Sequence, residues 1–145
     1  MISTATPCDT VLLFFSCQKL GRSDLFDELL PRINPMVKVQ WFEDGLENKK
    51  FTEPVMSNLN PVFKQPIELD FIFPRKQIFH IFVYDFECCL EKNLIGKVDI
   101  TLGAVVGAPE QTVTLDLKND EGRDSGQITI RADKHSRINM TAYMK

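Results

Sequence analysis

Asp85 and Glu87 stand two residues apart at the end of the run Phe79, Ile81, Val83. Side chains alternate between the faces of a strand, so both carboxylates leave on the face that Phe79, Ile81 and Val83 turn toward a core. They extend that row past the edge of any core, because unpaired carboxylates are not buried. Two readings stand for the pair: ordinary solvated loop acids, or the start of a polar site at a strand end. Other chemistry is sparse. The two histidines, His80 and His135, have no Ser, Cys or carboxylate at a spacing that suggests a triad, and His80 reads as an outward-facing strand residue. There is no Gly-rich phosphate loop and no zinc motif, nor an activated nucleophile beside a base, so the chain is read as non-enzymatic.

Composition narrows the class further. The chain has 145 residues, 43% of them apolar, which suits one domain with a single core. Lys plus Arg number 17 against 20 for Asp plus Glu, and the basic residues are spread along the chain, so nucleic-acid binding is not expected. Cys8, Cys17, Cys88 and Cys89 fit neither a zinc spacing nor a disulfide framework. Reduced thiols in a reducing compartment are the expectation. The N-terminus has no positive n-region, and the apolar run 11–15 is too short for a signal core or a span. The expected location is the cytosol.

The elements that would position Asp85 and Glu87 are short alternating runs bounded by turn residues, the pattern of an all-β sandwich. Eight strands are expected: 11–17, 36–42, 51–56, 67–73, 79–87, 94–101, 113–117 and 128–132. The third is the weakest, since Pro54 pushes it toward an edge or a bulge. Asp24 can cap one or two helical turns that carry Leu25 and Leu29 and end at Pro31, and 102–106 can form another turn before Gly107. The fold class is therefore an eight-stranded antiparallel β-sandwich with helices confined to loops.

Three motifs in order resemble the C2 domain family. Val83-Tyr84-Asp85-Phe86-Glu87 followed by Asn93-Leu94-Ile95-Gly96 resembles its third calcium-binding loop. Ser57-Asn58-Leu59-Asn60-Pro61-Val62-Phe63 is similar to its loop-two hallmark, and Asn34-Pro35-Met36-Val37-Lys38-Val39 to the start of its second strand. Within the family the chain resembles the first C2 domain of copines, through Ser16-Cys17-x-x-Leu20, Thr52-Glu53 and the closing Gly126-Gln127-Ile128-Thr129-Ile130-Arg131-Ala132. Residues 1–133 are then the C2 domain, and 134–145 a linker whose end resembles the start of a following C2 domain.

The resemblance implies calcium-dependent binding to anionic phospholipid, with metal positions at Asp24, Asn34, Asp85, Glu87 and Asn93. Asn34 and Asn93 stand where the family has Asp, Glu87 replaces an Asp, and loop one carries an insertion at 27–30, where Asp27 or Glu28 supplies a ligand or the insertion occludes the cup. Three carboxylates remain. Calcium affinity depends on charge count, so the expected cofactor is at most one weakly held Ca²⁺. Phe26 and Leu90 lie near the tips of loops one and three, placed to enter a membrane; for Phe26 packing against the sandwich is the other reading. Where many C2 domains carry third-strand cations for phosphoinositides this chain has Phe51 and Glu53, with Lys49 and Lys50 expected in a solvated turn. The alternative function is a calcium-independent protein-interaction domain.

The topology should be the type II form, with the first and last strands in one sheet. On that sheet Leu12, Phe14 and Ile72 share the outward phase and are expected to cluster as a site for a protein partner.

Overall fold

The apolar alternation of the first segment appears in the computed structural model as β1 (Asp9–Gln18), with Val11, Leu13, Phe15 and Cys17 turned inward and buried. Described are residues 9–21, 33–72, 75–87 and 90–136, as backbone alone at 87, 90–92, 135 and 136. The helical turn expected after Asp24 lies outside them. The remaining strands are β2 (Pro35–Glu43), β3 (Leu46–Phe51), β4 (Ile67–Phe71), β5 (Ile78–Glu87), β6 (Leu90–Thr101), β7 (Thr112–Lys118) and β8 (Asp124–Ser136). One short helix, α1 (Leu102–Val106), follows β6; the Thr101 hydroxyl caps it by accepting from Ala104 N–H, and Leu102 and Val105 are its buried face.

Hydrogen bonding runs in the order β3-β2-β5-β6-β7-β8-β1-β4. At β6–β7 the ladder narrows to the single pair Lys97↔Lys118, and there the ribbon folds into two antiparallel layers, β3-β2-β5-β6 over β7-β8-β1-β4. Between them lies one core that joins Val37, Val39, Ile81 and Val83 of the first layer to Val11, Leu13, Ile128 and Ile130 of the second. The first and last strands pair over ten positions, from Asp9↔Ser136 to Gln18↔Gln127. This is the type II arrangement.

Gly96 shows how closely the layers meet. A Cβ there would lie 2.4 Å from Ser125 Oγ and 2.8 Å from Leu117 Cβ, so the glycine that ends the third-loop motif is required by packing between β6 and the β7–β8 pair.

The third strand differs from expectation. It occupies 46–51 instead of 51–56, because Asp44 (φ 52°) and Gly45 (φ 78°) form a tight hairpin that turns the chain straight back along β2. Two successive residues with positive φ make the turn whose twist matches paired strands. Beyond Phe51 the backbone only touches β2, through Thr52 N–H to Val37 O at 2.9 Å and Val55 N–H to Pro35 O at 2.9 Å; Pro54 has no N–H to continue a ladder. Lys49 and Lys50 therefore belong to β3 and not to a preceding turn. Lys50 Nζ donates to Glu68 O at 2.6 Å and so ties the two edge strands, β3 and β4, across the open side of the sandwich.

Candidate functional site

The site is assembled at the end of the sandwich where β2 begins and β5 ends. Register places Pro35 and Asn93 on either side of Asp85, so the residues singled out on three separate segments meet on neighbouring strands. Val83↔Gly96 is followed by Tyr84↔Leu94, and Asp85↔Asn93 by Phe86↔Glu91. Each step leaves one β6 residue, Ile95 and then Lys92, without an opposite number; such bulges bend and twist a strand end. The ladder then continues to Glu87↔Leu90. What the sequence suggests as a long open loop is thus a strand pair almost to its tip, with Leu90 at its far end.

Hydrogen bonds knit three segments together here. Asn34 N–H donates to Asp85 Oδ1 at 2.9 Å, and Phe86 N–H donates to the Asn34 carbonyl at 2.8 Å. The Asn34 side-chain oxygen accepts from Ser57 N–H at 2.8 Å. Because a backbone N–H can only donate, the carboxamide must turn its oxygen to Ser57, which leaves its NH₂, a donor group, for the remaining surroundings. Ser57 has φ 48°, and Asn58 N–H reaches the Ile33 carbonyl at 3.3 Å. The segment after β3 is pinned independently: Glu53 accepts from Lys64 N–H at 2.7 Å and Gln65 N–H at 3.3 Å, while buried Thr52 accepts from Val37 N–H at 3.0 Å. The Thr52-Glu53 pair therefore has an architectural role, one that spacing along the chain does not reveal.

Asn34, Asp85 and Asn93 are brought together; Asp24 and Phe26 lie outside the described residues, and Glu87 and Leu90 are described as backbone only. The donor set suits calcium in kind, being hard oxygens. It is poor in charge: among the described residues no three His, Cys, Asp or Glu side chains gather as a metal cluster. Two large apolar groups missed by sequence reading, Met56 and Val62, each 70% exposed, lie on the segment joined to this end by Ser57 and by the Ser16↔Val62 bridge. An apolar residue flanked by turn residues was the available signal.

The family model for the C2 domain matches residues 11–134. The chain belongs to the C2 domain family. This C2 domain is 30% identical over 128 residues to Copine-A and 31% over 131 residues to Copine-E, both of Dictyostelium discoideum, each match covering 88% of the chain. It spans 21% and 22% of those two relatives. In architecture it is similar to a C2 domain of plant Extended Synaptotagmin 1, with a TM-score of 0.67 at 20% identity over 92% of this chain and 98% of that one.

The outward positions on the other sheet are placed less simply than their shared phase suggests. Leu12 and Phe14 are half-buried neighbours on β1, with the Arg131 guanidinium 4.3 Å from the centre of the Phe14 ring. Leu12 is flanked across the ladder by Glu68 and Asp133. Ile72 follows Phe71, which pairs with Asp9, so it lies four positions beyond Glu68, about 13 Å along the strand at 3.3 Å per residue. His80 faces outward as expected, its Nδ1 2.7 Å from Asp99 Oδ1. Among the described residues no helix is long and apolar enough to cross a membrane.

Proposed function

We propose that this C2 domain is a non-enzymatic, cytosolic module that binds anionic phospholipid surfaces and responds to calcium through a site of reduced charge. The observation that carries the reading is that Asn34, just before β2, and Asn93 of β6 both meet Asp85 of β5 at one end of the sandwich. Asp85 supplies the central carboxylate, Asp24 and Glu87 supply the others, and Asn34 and Asn93 stand where two further charges would raise affinity. At most one ion binds, toward the weak end of the calcium range, roughly 10⁻⁴ to 10⁻³ M. The apolar groups that enter the interface are Phe26, Leu90 and Met56.

Co-sedimentation of the chain with phosphatidylserine-containing vesicles, in millimolar calcium and in chelator, tests this. Binding should require calcium and fall sharply in Asp85→Asn. Vesicle binding that ignores both calcium and Asp85 would sink the calcium part. The second reading, a calcium-independent protein-interaction domain, is favoured by one specific feature: the hydrogen bonds through Asn34 already join the segments that a metal would bridge.

A further inference from the structure

The end of the molecule opposite Asp85 carries a second surface. Between the β2–β3 turn and the segment leading into β5 is an opening of about 440 Å³, lined by the aromatic rings of Trp41, Phe42 and Phe79 and by Ile72 and Ile78. Phe42 is 59% and Ile78 48% exposed, and Leu46, 70% exposed, pairs with Glu43 at its margin. Two of the six large apolar side chains exposed among the described residues, Phe42 and Ile78, thus meet at this one opening beside Trp41, Phe79 and Ile72, a continuous patch in place of single scattered exposures.

The charges at its margins are arranged by sign. Glu43 and Asp44 sit on the hairpin side, Arg75 and Lys76 on the side of the segment entering β5. All four are exposed, and among the described residues none of these side chains makes an ion pair or hydrogen bond, so the two sets stand beyond ion-pair reach of each other. An apolar floor with an acidic margin facing a basic one is self-complementary. Rotation of a second copy by two-fold symmetry about the opening brings Glu43 and Asp44 of each copy onto Arg75 and Lys76 of the other, and each contact is made twice. A uniformly anionic membrane satisfies only the basic half and is repelled by the acidic half. We propose that this surface is a homodimer interface, occupied by a second copy of this chain.

Sedimentation equilibrium of the 145-residue chain should show a monomer–dimer equilibrium that weakens as salt is raised. Charge reversal distinguishes a two-fold dimer through these margins from association through any other face. Glu43→Lys with Asp44→Lys, and separately Arg75→Glu with Lys76→Glu, set like charges against each other at both margins, and each double variant should dimerise about tenfold more weakly or worse. An equimolar mixture of the two should restore association as a heterodimer, because all-basic margins then meet all-acidic ones. Asp120→Lys with Glu121→Lys, the same change in net charge on the β7–β8 turn at the far end, should leave dimerisation intact and should not rescue the Arg75→Glu, Lys76→Glu variant. A monomer at all concentrations, reversal variants that dimerise like the parent, or a mixture that stays monomeric overturns the proposal. So does rescue by the far-end variant. Loss of vesicle binding in the Arg75→Glu, Lys76→Glu variant with no dimer in the parent assigns the surface to a membrane instead.

Discussion

At position 34 stands an amide, and the three hydrogen bonds of Asn34 show what it does. The side-chain oxygen holds Ser57 N–H, the backbone N–H holds Asp85, and the carbonyl holds Phe86. These bonds need no metal. Asn34→Asp keeps the acceptor for Ser57 but adds a charge beside Asp85, and like charges at such range repel. The variant should melt at a lower temperature than the parent in chelator and gain more stability from millimolar calcium, since a ligand that binds only the native state stabilises it. Equal melting shifts on calcium addition for the two proteins would count against a metal site here. Cys17 offers an independent test of the core. It is 1% exposed on β1, and burial pushes its thiol from 9.0 up to about 12. A raised acid favours the protonated folded form, so this contribution is complete below pH 9 and is lost as pH rises from 9 through 12. The slope approaches about 1.4 kcal/mol per pH unit. Cys17→Ala should have lower stability at neutral pH but a flatter profile over that window in urea titrations.

Among the elements, those with strict alternation were legible and those set by turn chemistry were not. β1, β4, β5, β7 and β8 appear where apolar residues at every second position require them, because slipping one residue would turn the whole buried row to solvent. β3 has no such row: its six residues, Leu-Glu-Asn-Lys-Lys-Phe, are mostly charged or polar, and its position is dictated by Asp44-Gly45. That dipeptide is the strongest short-range hairpin signal in the chain, and reading hydropathy alone passes over it. The extension of β6 back to Leu90 was hidden for a related reason, since two bulges break the alternation there. In the candidate site Asp85 was legible because it continues a core row, whereas the Asn34 bond to Ser57 spans 23 positions and leaves no periodic trace. Gly45→Val forces a β-branched residue to φ 78°, and should cost at least about 1 kcal/mol by urea denaturation. The structure assigns the loss to the turn, so Asp44→Asn, which tolerates positive φ, should be near neutral.

Across the whole molecule the pairing of the two terminal strands decides how the domain closes. β1 and β8 are neighbours inside a layer, flanked by β4 and β7, so the first and the eighth strand of the domain meet in the middle of a sheet. Asp9 and Ser136 are direct partners, which in an antiparallel pair puts their Cα atoms about 5 Å apart, close enough for a hairpin of a few residues. At the opposite end the β7–β8 turn is exposed and held by Asn119, whose side chain accepts from Glu121 and Arg123 N–H at 2.9 and 3.0 Å, with the Lys118 ammonium donating to Asp124 across its base. A chain joined from Ser136 to Asp9 by a short glycine-rich linker and opened between Gly122 and Arg123 would carry β8 first and β7 last. Its layers, core and order of hydrogen-bonded neighbours are unchanged; only the connection moves. The entropy lost by closing the new loop is offset, to within about 1–2 kcal/mol, by that no longer lost at the opened turn. The permuted protein should therefore fold cooperatively, with a β-sheet circular dichroism spectrum matching the parent and a stability within that range. A chain truncated at Gly126, which removes most of β8 and exposes Val11, Leu13 and Phe15 along one side of β1, should not fold. A folded truncation, or an unfolded permutant, would show that the β1–β8 pair does not close this sandwich.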